Sequence, residues 1–338
     1  MEEHFDKNDR EITFSSSLRE NLGHHIYGEL WAQSIKTYLQ KEDLIDRPIH
    51  IISANLHSVM NSIYGTAARV SKKGATLESI AGILSVEQND DLRQKVKEYA
   101  LKNGMHELDD SSGTNISVQI FDLSKIDLST LPAEISYNES LLKKQKPVIV
   151  VMNYAFGEQA YETMDELLKP YDYKQDKIGL HIQSVSIMGK AGILNGDKGD
   201  IMIPDAHVFE GTADNYPFKN DFTVDEFQGH GIKVVGGPMI TVMGTSLQNK
   251  DILRYFKLSS WSVIGLEMEG AHYQKAIQAA SKIRNSISPE VVLRYAYYAS
   301  DNPLMTGKTL ASGPLGLDGV KPTYLITQKI LERIFNVG

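Results

Sequence analysis

Apolar residues recur at helical spacing through Leu30, Trp31, Ile35 and Leu39, within a stretch from 16 to 46 that Ser15, Ser16 or Ser17 is placed to cap. Ile49-His50-Ile51-Ile52 is then a short apolar run that ends in Ser53-Ala54-Asn55. Such a run predicts a strand buried on both faces, followed by a loop. Helical spacing returns over 74–104, where Leu92, Val96, Tyr99 and Ala100 share one face. Asn89 or Asp90 is placed to cap it, and Asn103-Gly104 to stop it. Residues 107–117 are small and polar and predict a loop; 117–121 predict a strand, and the pattern is weak up to Lys146.

The second half alternates more regularly. Val148–Met152 reads as a continuous apolar strand, followed by Asn153-Tyr154-Ala155-Phe156-Gly157 and a helix through Met164 and Leu168. Strands are expected at 182–188, 201–203, 234–235, 240–242 and 291–298, and helices at 251–256, 270–283 and 321–335. Strands alternating with helices imply an α/β fold. No internal repeat and no stretch rich in Pro, Gly or Ser divides the chain, so one domain is expected over 1–338, with an N-terminal helical extension at 1–46 and a longer inserted region at about 65–147.

Composition narrows the function classes. The 338 residues are 41% hydrophobic and carry a net charge of −8, which gives no support to nucleic-acid binding. There is no cysteine, which removes disulfides, zinc thiolate sites and thiol nucleophiles. The charged N-terminus has no apolar core of a signal peptide, and no apolar run is long enough for a bilayer. A cytoplasmic protein without membrane contact is expected. The histidines are scattered without ligand spacing, so no metal and no cofactor is expected.

Ligands of open α/β sheets collect where strand ends face a crevice, so the loops after strands are the candidate sites. Gly265-Leu266-Glu267-Met268-Glu269-Gly270 places two carboxylates at the start of a helix. Such a carboxylate can hold a vicinal diol, or it can simply be an exposed acidic first turn. Tyr298-Ala299-Ser300-Asp301 ends a strand with an aspartate, which is either a buried general acid or the start of a turn before Pro303. Gly189-Lys190-Ala191-Gly192 lets backbone approach a ligand. The Asn153 to Gly157 junction presents amides that an anion can meet.

In this order the four pieces resemble the superfamily of purine nucleoside phosphorylases, uridine phosphorylases and methylthioadenosine/adenosylhomocysteine nucleosidases, to which AMP nucleosidases also belong. Leu266-Glu267-Met268-Glu269 is similar to its Val-Glu-Met-Glu, and Ala299-Ser300-Asp301 to its Ile-Ser-Asp. Gly189 to Ile193, followed by Lys198-Gly199-Asp200-Ile201-Met202-Ile203, is similar to its Gly-rich loop and the Val-Gly-Asp-Ile-Val-Val after it. The likeness spans about 148–335 and the first strand.

The resemblance implies a three-layer α/β/α sandwich with a central mixed sheet, and a homo-oligomer. It implies that Glu269 binds ribose hydroxyls, that Met268 packs under the sugar, that Glu267 supports the site, and that Asp301, beside Ser300, protonates or hydrogen-bonds N7 of a purine. Gly189, Lys190, Gly192, Asn153, Gly157 and Met239 would complete the substrate surface. Four departures stand out. Ile187 occupies the place of an arginine common in the phosphorolytic enzymes, which favours water over phosphate as nucleophile. Lys190 replaces a Ser or Thr and is either a phosphate ligand or a solvated lysine. No glutamate lies between Ile49 and Gly65 to activate water; His57 or Ser58 stands in that neighbourhood, and His57 is the candidate base. Met239 stands where a base-stacking aromatic is expected, leaving Tyr154, Phe156 or Phe209 to stack. The expected function is hydrolysis of the N-glycosidic bond of a purine nucleoside or nucleotide in salvage. Phosphorolysis is the first alternative, and a catalytically silent nucleoside-binding protein the second.

Overall fold

The computed structural model describes residues 25–68, 76–212, 214–244, 249–308 and 316–336; the proposed caps Ser15, Ser16 and Ser17 lie outside them. The chain enters through helix α1 (His25–Lys41) and strand β1 (Ile49–Ser53). Helix α2 (Leu56–Tyr64) follows at once, because the Asn55 side chain accepts the Ser58 N–H at 2.8 Å and caps it. The loop expected after β1 is therefore only two residues long, and His57 sits in the first helical turn.

The helical stretch expected over 74–104 is two helices, α3 (Leu77–Leu84) and α4 (Asp90–Lys102). Arg93 accounts for the break: it donates to the carbonyls of Leu84 and Val86 at 2.8 and 2.7 Å, which ends the first helix. Strands β2 (Met105–Leu108) and β3 (Val118–Asp122) come next, then α5 (Glu139–Gln145) in the weakly patterned stretch, and β4 (Val148–Met152). All five β4 residues are buried. Each such Val, Ile or Met side chain contributes roughly 1.5–3 kcal/mol when fully removed from water.

Beyond α6 (Gln159–Leu167) a small hairpin, β5 (Tyr171–Tyr173) and β6 (Asp176–Ile178), precedes the long strand β7 (Ile182–Ile193). The remaining strands are β8 (Ile201–Ile203), β9 (Ala206–Phe209), β10 (Asn215–Pro217), β11 (Val234–Gly236), β12 (Met239–Thr241), β13 (Gly265–Glu267) and β14 (Val292–Asp301). Helices α7 (Lys250–Leu258), α8 (Gly270–Gln278) and α9 (Val320–Asn336) complete the order, and a π-helical turn (Ala279–Ile283) extends α8.

Twelve strands form one mixed sheet, with the path β10-β9-β12-β13-β7-β1-β4-β3-β2 and with β14, β8 and β11 joined through β7. Strand β7 is its centre. It runs parallel to β1 and to β14 and antiparallel to β13. One apolar core, with Trp31, Ile35, Met164 and Ile277, fills the face under α1, α6 and α8. The other, with Met60, Ile80, Val96 and Ile330, fills the face under α2, α3, α4 and α9. These are the three layers expected from the sequence.

Gly189 to Gly192, expected as a loop, lie inside β7. Each has a partner on β14, Gly189 with Tyr297 and Gly192 with Asp301 among them. The described part of 65–147 adds β2 and β3 to the sheet edge beyond β4 and packs α3 and α4 beside α2. No described helix is long and apolar enough to cross a membrane.

Candidate active site

A cavity of about 410 Å³ opens where β1, β4, β7, β13 and β14 end. Its walls carry Ser53 and Asn55 from the β1–α2 junction and Tyr154, Ala155 and Phe156 from the β4–α6 junction. Its floor is Ile187 to Gly192 of β7. Leu266, Glu267, Met268, Glu269 and Tyr273 come from β13 and α8, and Tyr297, Tyr298, Ser300 and Asp301 from β14. Parallel β7 and β14 end side by side, which is how residues distant in sequence share one crevice.

Asp301 closes β14 and is 4% exposed. The register against β7 shifts between Ala299 and Asp301. Such a bulge re-aims a side chain at the end of a ladder. The Ser300 hydroxyl donates to Asp301 Oδ1 at 2.9 Å and lies 3.2 Å from the Ala191 carbonyl. Opposite, Gly192 leaves the approach open: a Cβ there would sit 2.9 Å from Leu266 and 3.6 Å from Asp301 Oδ1.

The two glutamates differ in kind. Glu267 is 4% exposed and faces inward. Its Oε2 accepts the backbone N–H of Glu269 at 2.6 Å and that of Gly270, and its Oε1 accepts the Thr241 hydroxyl. Burial works to raise its pKa, yet His207, Thr241 and Gly270 together hold it below the ordinary value. Glu267 thus ties down the start of α8. Glu269 is half-buried at the cavity wall, and its Oε1 accepts the Gly157 N–H at 3.1 Å. Burial, and then the charge of Glu267, push the Glu269 carboxyl up to about 7.

Gly270 is required by this packing. A Cβ there would fall 2.3 Å from Cε1 and 2.4 Å from Nδ1 of His207. Gly270→Ala is expected to lower stability by about 1–3 kcal/mol, the usual scale for overpacking a core. Denaturant unfolding measures it, and unchanged stability would contradict the contact.

Eight sequence candidates line the cavity: Asp301, Glu269, Met268, Glu267, Gly189, Lys190, Gly192 and Ser300. Four do not. His57 is exposed on α2, with Arg93, Lys97 and Glu107 as its charged neighbours. Met239 is fully buried on β12, and its methyl packs near Gly265. Asn153 folds back to accept the Tyr154 N–H at 2.9 Å. Gly157 reaches the site only through its bond to Glu269. Of the three aromatic candidates, Tyr154 and Phe156 line the cavity, while Phe209 stands edge-on to His272 at 4.8 Å. None of the described residues of 65–147 lines it.

Sequence reasoning missed Tyr273, Tyr297 and Tyr298. Tyr273 follows Glu269 by one helical turn, a spacing that puts both on one face, and its hydroxyl meets Ser53 Oγ at 2.9 Å. No group of three or more His, Asp or Glu able to hold a metal occurs among the described residues.

The sequence model of a family of unknown function (DUF6909) matches residues 83–336. No curated protein matches the chain. Among solved structures, it is similar to the 5'-methylthioadenosine/S-adenosyl homocysteine nucleosidase of Campylobacter jejuni, with 11% identity, 85% of this chain and 98% of that one covered, and a TM-score of 0.49. It is similar to purine nucleoside phosphorylase from Toxoplasma gondii, with 14% identity, 87% and 93% covered, and a TM-score of 0.44. It is also similar to AMP nucleosidase from Bacteroides thetaiotaomicron, with 15% identity, 87% and 96% covered, and a TM-score of 0.42.

Proposed function

We propose, for a chain that belongs to the family of unknown function DUF6909, that it hydrolyses the N-glycosidic bond of a purine nucleoside and releases the free base. The observation that carries this reading is the shared cavity of Glu269 and Asp301, with Met268 between the two glutamates on its wall. Cleavage of such a bond puts positive charge on the sugar and negative charge on the departing base. The chemistry therefore needs a carboxylate at one end and a proton donor at the other.

In this reading Glu269 accepts the ribose hydroxyls and faces the positive sugar. Asp301, held by Ser300, gives its proton to N7. The C1′–N9 bond breaks with its electron pair going to the base, and a water oxygen bonds to C1′. One proton of that water is returned to Asp301 through solvent. The aromatic walls, Tyr154 and Phe156, face the flat purine.

Water is preferred to phosphate on charge. Glu267, Glu269 and Asp301 line the cavity with Lys190 as the one described cation. A phosphate dianion, whether nucleophile or substrate group, meets the carboxylates of Glu267 and Glu269 there. Lys190 is the observation that favours phosphorolysis instead. The product set of purine salvage, a cytoplasmic location and a homo-oligomeric state accompany this reading through the sequence resemblance.

Free-base release from adenosine, inosine, guanosine, methylthioadenosine and AMP, each with and without phosphate, tests it. Release without phosphate is expected, with AMP the poorest substrate. Release only with phosphate would make the reaction phosphorolysis, and no release would leave a binding protein.

The pH dependence follows from Glu269. Its pKa is raised to about 7, so the carboxylate needed opposite a positive sugar is present above that pH and lost below it. The ratio kcat/KM is expected to fall as pH is lowered through about 7. A flat profile between about pH 6 and 8 would remove Glu269 from this role.

A further inference from the structure

His207 takes no part in the reaction above and does not line the cavity. It is 0% exposed on β9, between β10 and β12. Its ring stacks on Phe218 at 5.3 Å and 14°, and leans on Tyr295 at 5.0 Å. Nδ1 lies 3.4 Å from Glu267 Oε1. Among the described residues neither ring nitrogen has a hydrogen-bond partner, and Glu267 is the nearest polar group that Nδ1 meets. A buried imidazole with one polar neighbour calls for an explanation. The glycine at 270, without which the ring has no space, shows that the fold is fitted to it.

We propose that His207 is a positioning residue, acting through Glu267 to fix the backbone and the charge environment of Glu269. The route is continuous. His207 meets Oε1 of Glu267; Oε2 of the same carboxylate holds the N–H groups of Glu269 and Gly270. Glu269 then places its own side chain against the Gly157 N–H. His207, together with Thr241 and Gly270, holds the Glu267 carboxyl down, and Glu267 is the charge that acts to raise Glu269. Without His207, Glu267 keeps only its Thr241 and backbone donors against full burial, and its pKa rises. The charge that opposes ionisation of Glu269 is then weakened.

The other titratable groups around the pair are Tyr273 and His272 on α8 and Tyr295 and Tyr297 on β14; Asp301 and Lys190 line the same cavity. The Tyr295 hydroxyl is committed to Gln274 Oε1 at 2.9 Å. The phenols of Tyr273, Tyr295 and Tyr297 all have their pKa raised by burial, so they stay neutral where Glu269 titrates.

The role assigned to Glu269 rests on the nucleosidase reading, but the coupling is measured without turnover. The readout is the titration midpoint of Glu269 by 13C NMR of protein labelled at its glutamate carboxyls, with Glu269→Gln assigning the resonance. The wild-type midpoint is expected near 7. His207→Phe keeps a flat ring against Phe218 and removes the polar contact. It is expected to move the midpoint down, towards the ordinary carboxylate range, and Glu267→Gln should do the same. An unchanged midpoint in folded His207→Phe would overturn the proposal. If that variant does not fold, His207→Leu, which is smaller and equally lacks a polar group, takes its place: a lowered midpoint is expected, and an unchanged one would overturn the coupling. Base release is a separate measurement, so the loss of the nucleosidase reading would not be mistaken for the loss of this one.

Discussion

Asp301→Asn is expected to lower kcat for purine nucleosides by about 10²–10⁴-fold, the usual contribution of a positioned general acid. Asparagine keeps the size of the side chain and the acceptor for the Ser300 hydroxyl, whose bond to Oδ1 is 2.9 Å long. It holds no proton acidic enough to neutralise the departing base. Substrate binding should therefore change little, because the cavity wall is intact. The measurement is single-turnover base release beside equilibrium binding of the same nucleoside. Wild-type turnover in Asp301→Asn would remove the aspartate from the chemistry. A parallel loss of binding would instead make it a structural group at the end of β14.

Glu269→Gln is expected to cost about 10²–10³-fold in kcat, or roughly 2.7–4 kcal/mol, the scale found for groups that stabilise charge formed only in the transition state. The amide can still meet a sugar hydroxyl and the Gly157 N–H is only one of its neighbours. What it lacks is the negative charge facing the sugar. The loss should fall on kcat more than on KM, and the pH dependence near 7 should disappear with the titrating group. An unchanged rate would exclude Glu269 from the site, and a loss confined to KM would reduce it to a binding contact.

The legible parts of the fold were those with a strong local pattern. Strands β1 and β4 are continuous apolar runs, and both are buried along their whole length. Of the two acidic motifs only Asp301 could be placed by a strand pattern, that of β14; Glu267 and Glu269 stand at and just past the end of the three-residue β13 and were located by their likeness to a known motif. His57 was misplaced although the signal was available. Leu56, Val59, Met60 and Ile63 have helical spacing, and Asn55 caps them, so the segment is a helix and the imidazole is carried out to solvent. Strand β7 was cut short at Gly189 because a glycine and a lysine look like a loop. Pairing with β14 and β13, which come about 70 or more residues later, decides that question and leaves no local trace. His207 and Met239 were illegible for the same reason. Their strands are three or four residues long, and their burial depends on neighbours from elsewhere in the chain. Met239 lies beside Gly265 in register, which makes it core rather than a surface for a base.

The central claim is that water, not phosphate, attacks the sugar carbon of a purine nucleoside in the cavity shared by Glu269 and Asp301. Turnover in 18O-labelled water, with phosphate present, tests it most directly through the mass of the released sugar. The account predicts free ribose carrying one labelled oxygen at C1′, together with the free base, and loss of both products in Asp301→Asn. Unlabelled ribose 1-phosphate as the product would contradict it.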